Sequence, residues 1–184
     1  MDETGGLGGA RRVLVYGVTG AGKTTMAQAI SRATSLPWYP VDALTWEPGW
    51  VPVPAEEQRR RIAEVCAGEE WILDHAYAKW VDIPLGRADL VVGLDYPRWF
   101  SLQRLLRRTV MRAVGGTEIC NGNRQSLRMV FSRESIVVWH FRSFASKRRR
   151  MRCWADTPGG PAVLRFTRAK EAAAWLAALA GEGA

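Results

Sequence analysis

Gly17-Val18-Thr19-Gly20-Ala21-Gly22-Lys23-Thr24 matches the pattern G-x-x-x-x-G-K-[ST] at every fixed position. Before it, Arg12-Val-Leu-Val-Tyr16 is a short apolar, β-branched run that reads as a buried parallel strand. After it, Thr25-Met-Ala-Gln-Ala-Ile-Ser-Arg32 reads as a helix. Strand, glycine-rich turn and helix together make a phosphate-binding loop. Glycine allows positive φ and close backbone approach. Successive N–H groups then point inward as an anion nest, reinforced by the helix N-terminus. Lys23 is expected to reach β- and γ-phosphates, and the Thr24 hydroxyl to hold Mg²⁺. The expected nucleotide contacts are Gly17, Thr19, Gly20, Ala21, Gly22, Lys23, Thr24 and Thr25, and the expected ligand is ATP.

Outward from the loop, strands alternate with helices. Leu36 to Asp42 reads as a loop entering a short second strand that ends at Asp42. Pro48, Pro52 and Pro54 argue against regular structure until Ala55. Ala55–Ala67 reads as a solvent-facing helix closed by Gly68. Trp71-Ile-Leu-Asp74 and Asp89–Asp95 read as the third and fourth strands. A helix then runs from Pro97 to about Ala113, broken by Gly115-Gly116. Residues 126–147 read as mostly helical, 162–166 as a final strand and 168–180 as a final Ala-rich helix. This alternation predicts a three-layer α/β/α fold with a five-stranded parallel sheet. Residues 1–10 read as a flexible tail, 11–184 as one domain, and about 113–126 as a helical lid.

The chain has 184 residues, 47% of them hydrophobic, enough for a full core. The first ten residues lack the basic start and apolar stretch of a signal peptide, and no run approaches a membrane span. Three cysteines without C-x-x-C spacing fit reduced thiols, and a cytoplasmic protein is the expectation. Two histidines argue against a His-rich metal site. The net charge of +8 is uneven. Residues 98–152 hold 14 Lys/Arg against Glu118 and Glu134, a balance of +12, and the remainder carries −4. A basic half facing an anion-binding loop suits a polyphosphate and also nucleic acid.

In parallel sheets of this kind ligands sit at the carboxyl ends of the strands. The loop, Asp42, Asp74 and Asp95 fall there and are expected on one rim. Asp74, after Trp-Ile-Leu, reads as the acid that holds the waters of Mg²⁺ at Thr24, or else as a helix cap. Asp95 reads better as the N-cap of the helix opened by Pro97. Asp42, opposite the loop, is placed to accept the proton of an attacking hydroxyl or to hold a substrate group, or else forms a turn. Trp46 is a candidate acceptor-lining residue among nine tryptophans, most of them expected in the core. Arg104, Arg108 and Arg112 share one helix face, with Arg107 beside it. They read as neutralisers of a transferring phosphoryl group, or as a solvated face. Arg124 lies where the lid is expected. Lys147-Arg-Arg-Arg-Met-Arg152 reads as a solvated helix end or a second phosphate contact before a nucleic-acid patch.

The chain resembles the bacterial adenylate-kinase-like P-loop proteins of the DNA-topology-modulation type over residues 11–180. The likeness rests on the phosphate loop, Leu36-Pro…Val41-Asp-Ala-Leu-Thr-Trp46, Pro48-Gly-Trp50, Trp71-Ile-Leu-Asp74…Tyr77, and Arg87-Ala-Asp-Leu-Val-Val…Leu94-Asp-Tyr-Pro-Arg98. Arg104…Arg108 and Cys120-Asn-Gly-Asn-Arg-Gln125 add to it. It implies a nucleotide-kinase fold, ATP as donor and lid arginines, and brings Tyr77 in as a substrate-side residue. His75-Ala76 depart from the Asp-Gly-Phe-Pro-Arg segment of adenylate kinases, whose arginine is absent. The placement of Asp42 is also similar to shikimate-kinase-type proteins, in which a nearby acid handles a hydroxyl substrate. The expected partners are ATP and a nucleotide or other small hydroxyl acceptor, in a monomer or homodimer with no membrane. Nucleotide-gated nucleic-acid binding is the alternative.

Overall fold

A computed structural model describes residues 6–115 and 136–182. Residues 116–126 of the expected lid, with Arg124 and Cys120, lie outside the described residues. The elements are β1 (Arg12–Gly17), α1 (Lys23–Thr34), β2 (Trp38–Tyr39), α2 (Val41–Thr45), β3 (Trp46–Glu47), β4 (Val51–Pro52), α3 (Ala55–Ala67) and β5 (Trp71–Leu73). They continue with α4 (Asp82–Leu85), β6 (Leu90–Leu94), α5 (Arg98–Gly115), α6 (Ile136–Ala155), β7 (Ala162–Phe166) and α7 (Ala169–Glu182).

The main sheet has five strands in the order β2-β5-β1-β6-β7, all neighbours parallel. Counted along the chain this is 2-3-1-4-5, so β1 and its loop occupy the centre. The middle strands are apolar throughout because both faces are covered. Val13, Val15, Ile72 and Val92 face one core with Ile30 and Phe144. Leu14, Tyr16, Trp71, Leu73 and Val91 face another with Ile62, Trp80 and Met151. The three-layer fold and five-stranded parallel sheet are thus as the alternation predicts. Among the described residues, no helix is long and apolar enough to cross a membrane.

Three local expectations fail. The second strand stops at Tyr39 instead of reaching Asp42. Pro40 brings no N–H to a ladder, and the next N–H, of Val41, donates to Asp74 Oδ1 at 3.0 Å. That bond starts α2 and puts Asp42 in its first turn. The proline-rich stretch 48–54 is not wholly irregular either. Trp46 and Glu47 pair antiparallel with Pro52 and Val51 across a turn in which Gly49 (φ 80°) and Trp50 (φ 60°) are left-handed. Asp95 does not cap α5, which starts at Arg98 with Ser101 N bonded to Pro97 O. Its buried carboxylate accepts from Arg148 and lies 3.5 Å from Arg152 and 3.8 Å from Arg165. Three guanidinium groups at the strand end outcompete the backbone amides of the next helix.

Candidate active site

The loop leaves β1 at Gly17 and enters α1 at Lys23. Gly20 (φ 84°) and Gly22 (φ 96°) adopt the left-handed backbone that turns it. Ala21 N–H donates to Val18 O at 3.2 Å and closes the turn. No side chain caps α1, and its first turn holds no acid. The positive end of the helix is therefore left for an external anion. A Cβ on Gly20 would sit 2.3 Å from Ser101 O and 3.0 Å from Leu105 Cβ, so α5 rests directly on the loop. Gly20→Ala is expected to lower stability by about 2 kcal/mol, because a backbone oxygen cannot give way and φ is unfavourable for alanine. A thermal melt should show a fall of roughly 4–8 °C.

Lys23 is half-buried, and its Nζ donates to Val18 O at 3.1 Å. Burial lowers its pKa to about 8, against the opposing pull of Asp74 and Asp42. Thr24 Oγ1 donates to Asp74 Oδ2 at 2.7 Å. Asp74, at the end of β5, is 7% exposed. Its two oxygens thus tie the loop helix to α2.

Asp42 keeps solvent access at the mouth of the site. Partial loss of water and then the negative charge of Asp74 raise its pKa, while Lys23 and Arg108 oppose the rise. Tyr77 lies beside Asp42, Trp46 and Thr45, and the Asp42 charge acts on its phenol, so the three predicted acceptor residues form one cluster. Burial and the neighbouring Asp42 push the Tyr77 phenol up to about 12, so it stays protonated. Trp46 stands at the start of β3 rather than in a loop and meets Trp50 edge-on at 5.8 Å.

Arg104 and Arg108 project from α5. The Arg104 guanidinium lies over Phe100 at 5.4 Å, and one of its nitrogens is 3.1 Å from where a Cβ on Gly22 would be. Arg108 is half-buried and its charge acts on both Lys23 and Asp42. Arg104 and Arg107 are both exposed, and Arg104 is the one that lies against the loop at Gly22.

Two histidines given no site role from sequence join the site. His140, fully buried on α6, has Nδ1 3.0 Å from Thr19 O and so ties that helix to the loop. Burial lowers its pKa, so the ring is neutral and donates through Nδ1. His75 follows Asp74, stacks beside Tyr16 and meets Tyr77 edge-on at 4.6 Å. Burial first, then Lys147 and Lys23, hold its pKa well below the usual value. In the sequence His75 is visible only as a departure from the adenylate-kinase segment, and His140 only as one of two histidines. Nothing there ties position 140 to position 19.

The basic run 147–152 is also divided by the fold. Lys147 and Met151 turn inward, Arg148 and Arg152 face Asp95, and Arg149 is exposed.

No protein-family model matches the chain, and no curated protein matches it. Among solved structures, a shikimate kinase from Bacteroides thetaiotaomicron has the same fold, with TM-score 0.53 and 14% identity over 94% of this chain and 98% of that one. A gluconokinase from Sinorhizobium meliloti 1021 is similar at TM-score 0.49 and 16% identity over 94% of each chain. A sugar kinase from Janibacter sp. HTCC2649 is similar at 0.49 and 17% over 93% and 96%. The fold is the P-loop kinase-like α/β fold expected from sequence.

Proposed function

We propose that the protein is an ATP-dependent phosphotransferase that moves the γ-phosphoryl group to a nucleotide or other small hydroxyl-bearing acceptor. One observation carries this reading. Lys23 and the Thr24–Asp74 pair converge, at the carboxyl ends of neighbouring parallel strands, with the Asp42–Tyr77–Trp46 cluster. A triphosphate grip thus stands beside an acid whose pKa is raised towards the working range of a general base. The shikimate kinase that shares the fold supports a small acceptor.

The residues also fit a divalent cation. A hydroxyl and one carboxylate are hard oxygen donors, and Mg²⁺ takes its other ligands from water and phosphate. Among the described residues there is no cluster of three His, Cys, Asp or Glu, so no closed protein cage competes with that arrangement. Bound at Thr24 and Asp74, Mg²⁺ would draw negative charge from the β- and γ-phosphates.

In the reaction, Asp42 takes the proton of the acceptor hydroxyl as its oxygen forms a bond to the γ-phosphorus. The bond from that phosphorus to the bridging oxygen breaks, and ADP leaves. Lys23, Arg104 and Arg108 neutralise the spreading charge, which makes catalysis mainly positioning and electrostatics. Tyr77 and Trp46 orient Asp42 and line the acceptor side.

The test is a panel of nucleotides, nucleosides, sugars and hydroxy acids incubated with γ-labelled ATP. At least one acceptor should gain label in a protein-dependent way. Hydrolysis that is indifferent to every acceptor, with no labelled product, would reject the reading. Nucleotide-gated nucleic-acid binding, as in the topology-modulation resemblance, draws on the charge of residues 98–152. Its sign would be DNA affinity that falls steeply with salt. The inward and paired residues of 147–152 leave it less free charge than the sequence promised.

A further inference from the structure

Lys147, on α6, is 6% exposed, and its Nζ has no hydrogen-bond partner. It is not isolated from the site. Its charge acts with those of Lys23 from α1, Arg150 from its own helix and Asp42 from α2, and it also acts on His75 after β5. His75 Nδ1 is likewise buried without a partner. One helical turn on, Met151 packs in the same core as Tyr16, Val41 and Tyr77. The inner face of α6 therefore turns towards the acceptor cluster.

A buried amine with two cationic neighbours and one carboxylate is under-compensated. Burying an unpaired charge costs several kcal/mol, and an apolar residue of similar volume would serve the fold better. An arriving anion would remove the deficit. The donor phosphates already have the loop amides, Lys23 and the two α5 arginines. On the side where Asp42 and His75 stand, Arg150 is half-buried and acts on Tyr16, whereas Lys147 is buried and its Nζ has no hydrogen-bond partner.

We propose that Lys147 grips an oxyanion carried by the phosphoryl acceptor, so that the substrate is a phosphate- or carboxylate-bearing hydroxyl compound. This rests on the kinase reading above. Burial, then Lys23 and Arg150, lower the Lys147 pKa to about 6 against the pull of Asp42. The amine is thus largely neutral at pH 7 and gains its proton as the anion binds, whose charge favours the ammonium form.

The experiment uses the full chain saturated with Mg²⁺ and a non-hydrolysable ATP analogue, which fills the loop. Sulfate, standing in for phosphate, and acetate, standing in for carboxylate, are then titrated separately by calorimetry into wild type and Lys147→Met. Both probes keep constant charge between pH 6 and 8. At least one probe should bind wild type, at least tenfold more weakly in the variant, and the better probe identifies the oxyanion. Affinity for the ATP analogue should change less than threefold. Wild-type binding should tighten from pH 8 to pH 6 and the variant's should not.

Equal affinity in both proteins, no binding of either probe, or a loss confined to the ATP analogue would overturn the proposal. Failure of wild type to bind the analogue at all would instead strike the kinase reading. The variant should melt no lower than wild type, since an apolar side chain replaces a buried amine that has no hydrogen-bond partner. Should it fail to fold, Lys147→Gln is read by the same titrations against the same criteria.

Discussion

Lys23→Ala should lower phosphotransfer from ATP by about 10³-fold, equivalent to about 4 kcal/mol of transition-state stabilisation. The lysine is the half-buried cation at the head of α1, and its Nζ now rests on Val18 O. That bond is a weak hold for a charge with Asp74 and Asp42 nearby, so exchanging it for phosphate oxygens favours binding. Alanine leaves the turn bond of Ala21, the helix start and the Thr24–Asp74 pair intact. Folding should therefore survive, because the substitution also removes the cost of burying the amine. Initial rates with γ-labelled ATP and the acceptor found in the panel, together with a melt, check both halves. Unchanged phosphotransfer in a folded variant would remove the loop from the chemistry.

Asp42→Asn should lower kcat by about 10²–10⁴-fold if the carboxylate takes the hydroxyl proton. Asparagine keeps the shape, so a purely positioning role predicts a rise in KM with little change in kcat. The pH profile separates the two as well. Burial and Asp74 raise the Asp42 pKa, so wild-type activity should fall as pH drops through a value above the ordinary aspartate range. The base works only when deprotonated, so the loss lies on the acid side. In the asparagine variant that limb should vanish while the residual rate stays flat. A variant with wild-type kcat and an unaltered acid limb would assign the proton to another group.

The cluster around Asp42 shows how far local reading reaches. Asp42, Trp46 and Tyr77 were each marked, the last only through resemblance, yet their meeting at Tyr77 spans 35 positions and two separate strand ends. The sequence placed Asp42 at the end of a strand. Pro40 and the bond from Val41 N to Asp74 move it into a helix, a displacement that keeps it on the rim but turns it towards Lys23. Asp95 shows the opposite outcome. It carries a good cap signature, and that local preference loses to three arginines that only the folded chain delivers. Uniform charge in Lys147–Arg152 likewise hid three different environments, because helical rotation sends neighbouring residues to different faces.

By itself the sequence determined the phosphate loop, the alternating elements and hence the parallel sheet, and the acid paired with Thr24. These depend on glycine spacing, apolar periodicity and position at a strand end, which are properties of short stretches of chain. Only the tertiary structure decided that His140 holds Thr19, that Asp95 gathers guanidinium groups, and that Lys147 is buried without a partner beside Lys23 and Asp42. Those facts join segments 53 to 124 residues apart, and packing sets them: no local conformational preference carries the identity of a partner so distant along the chain.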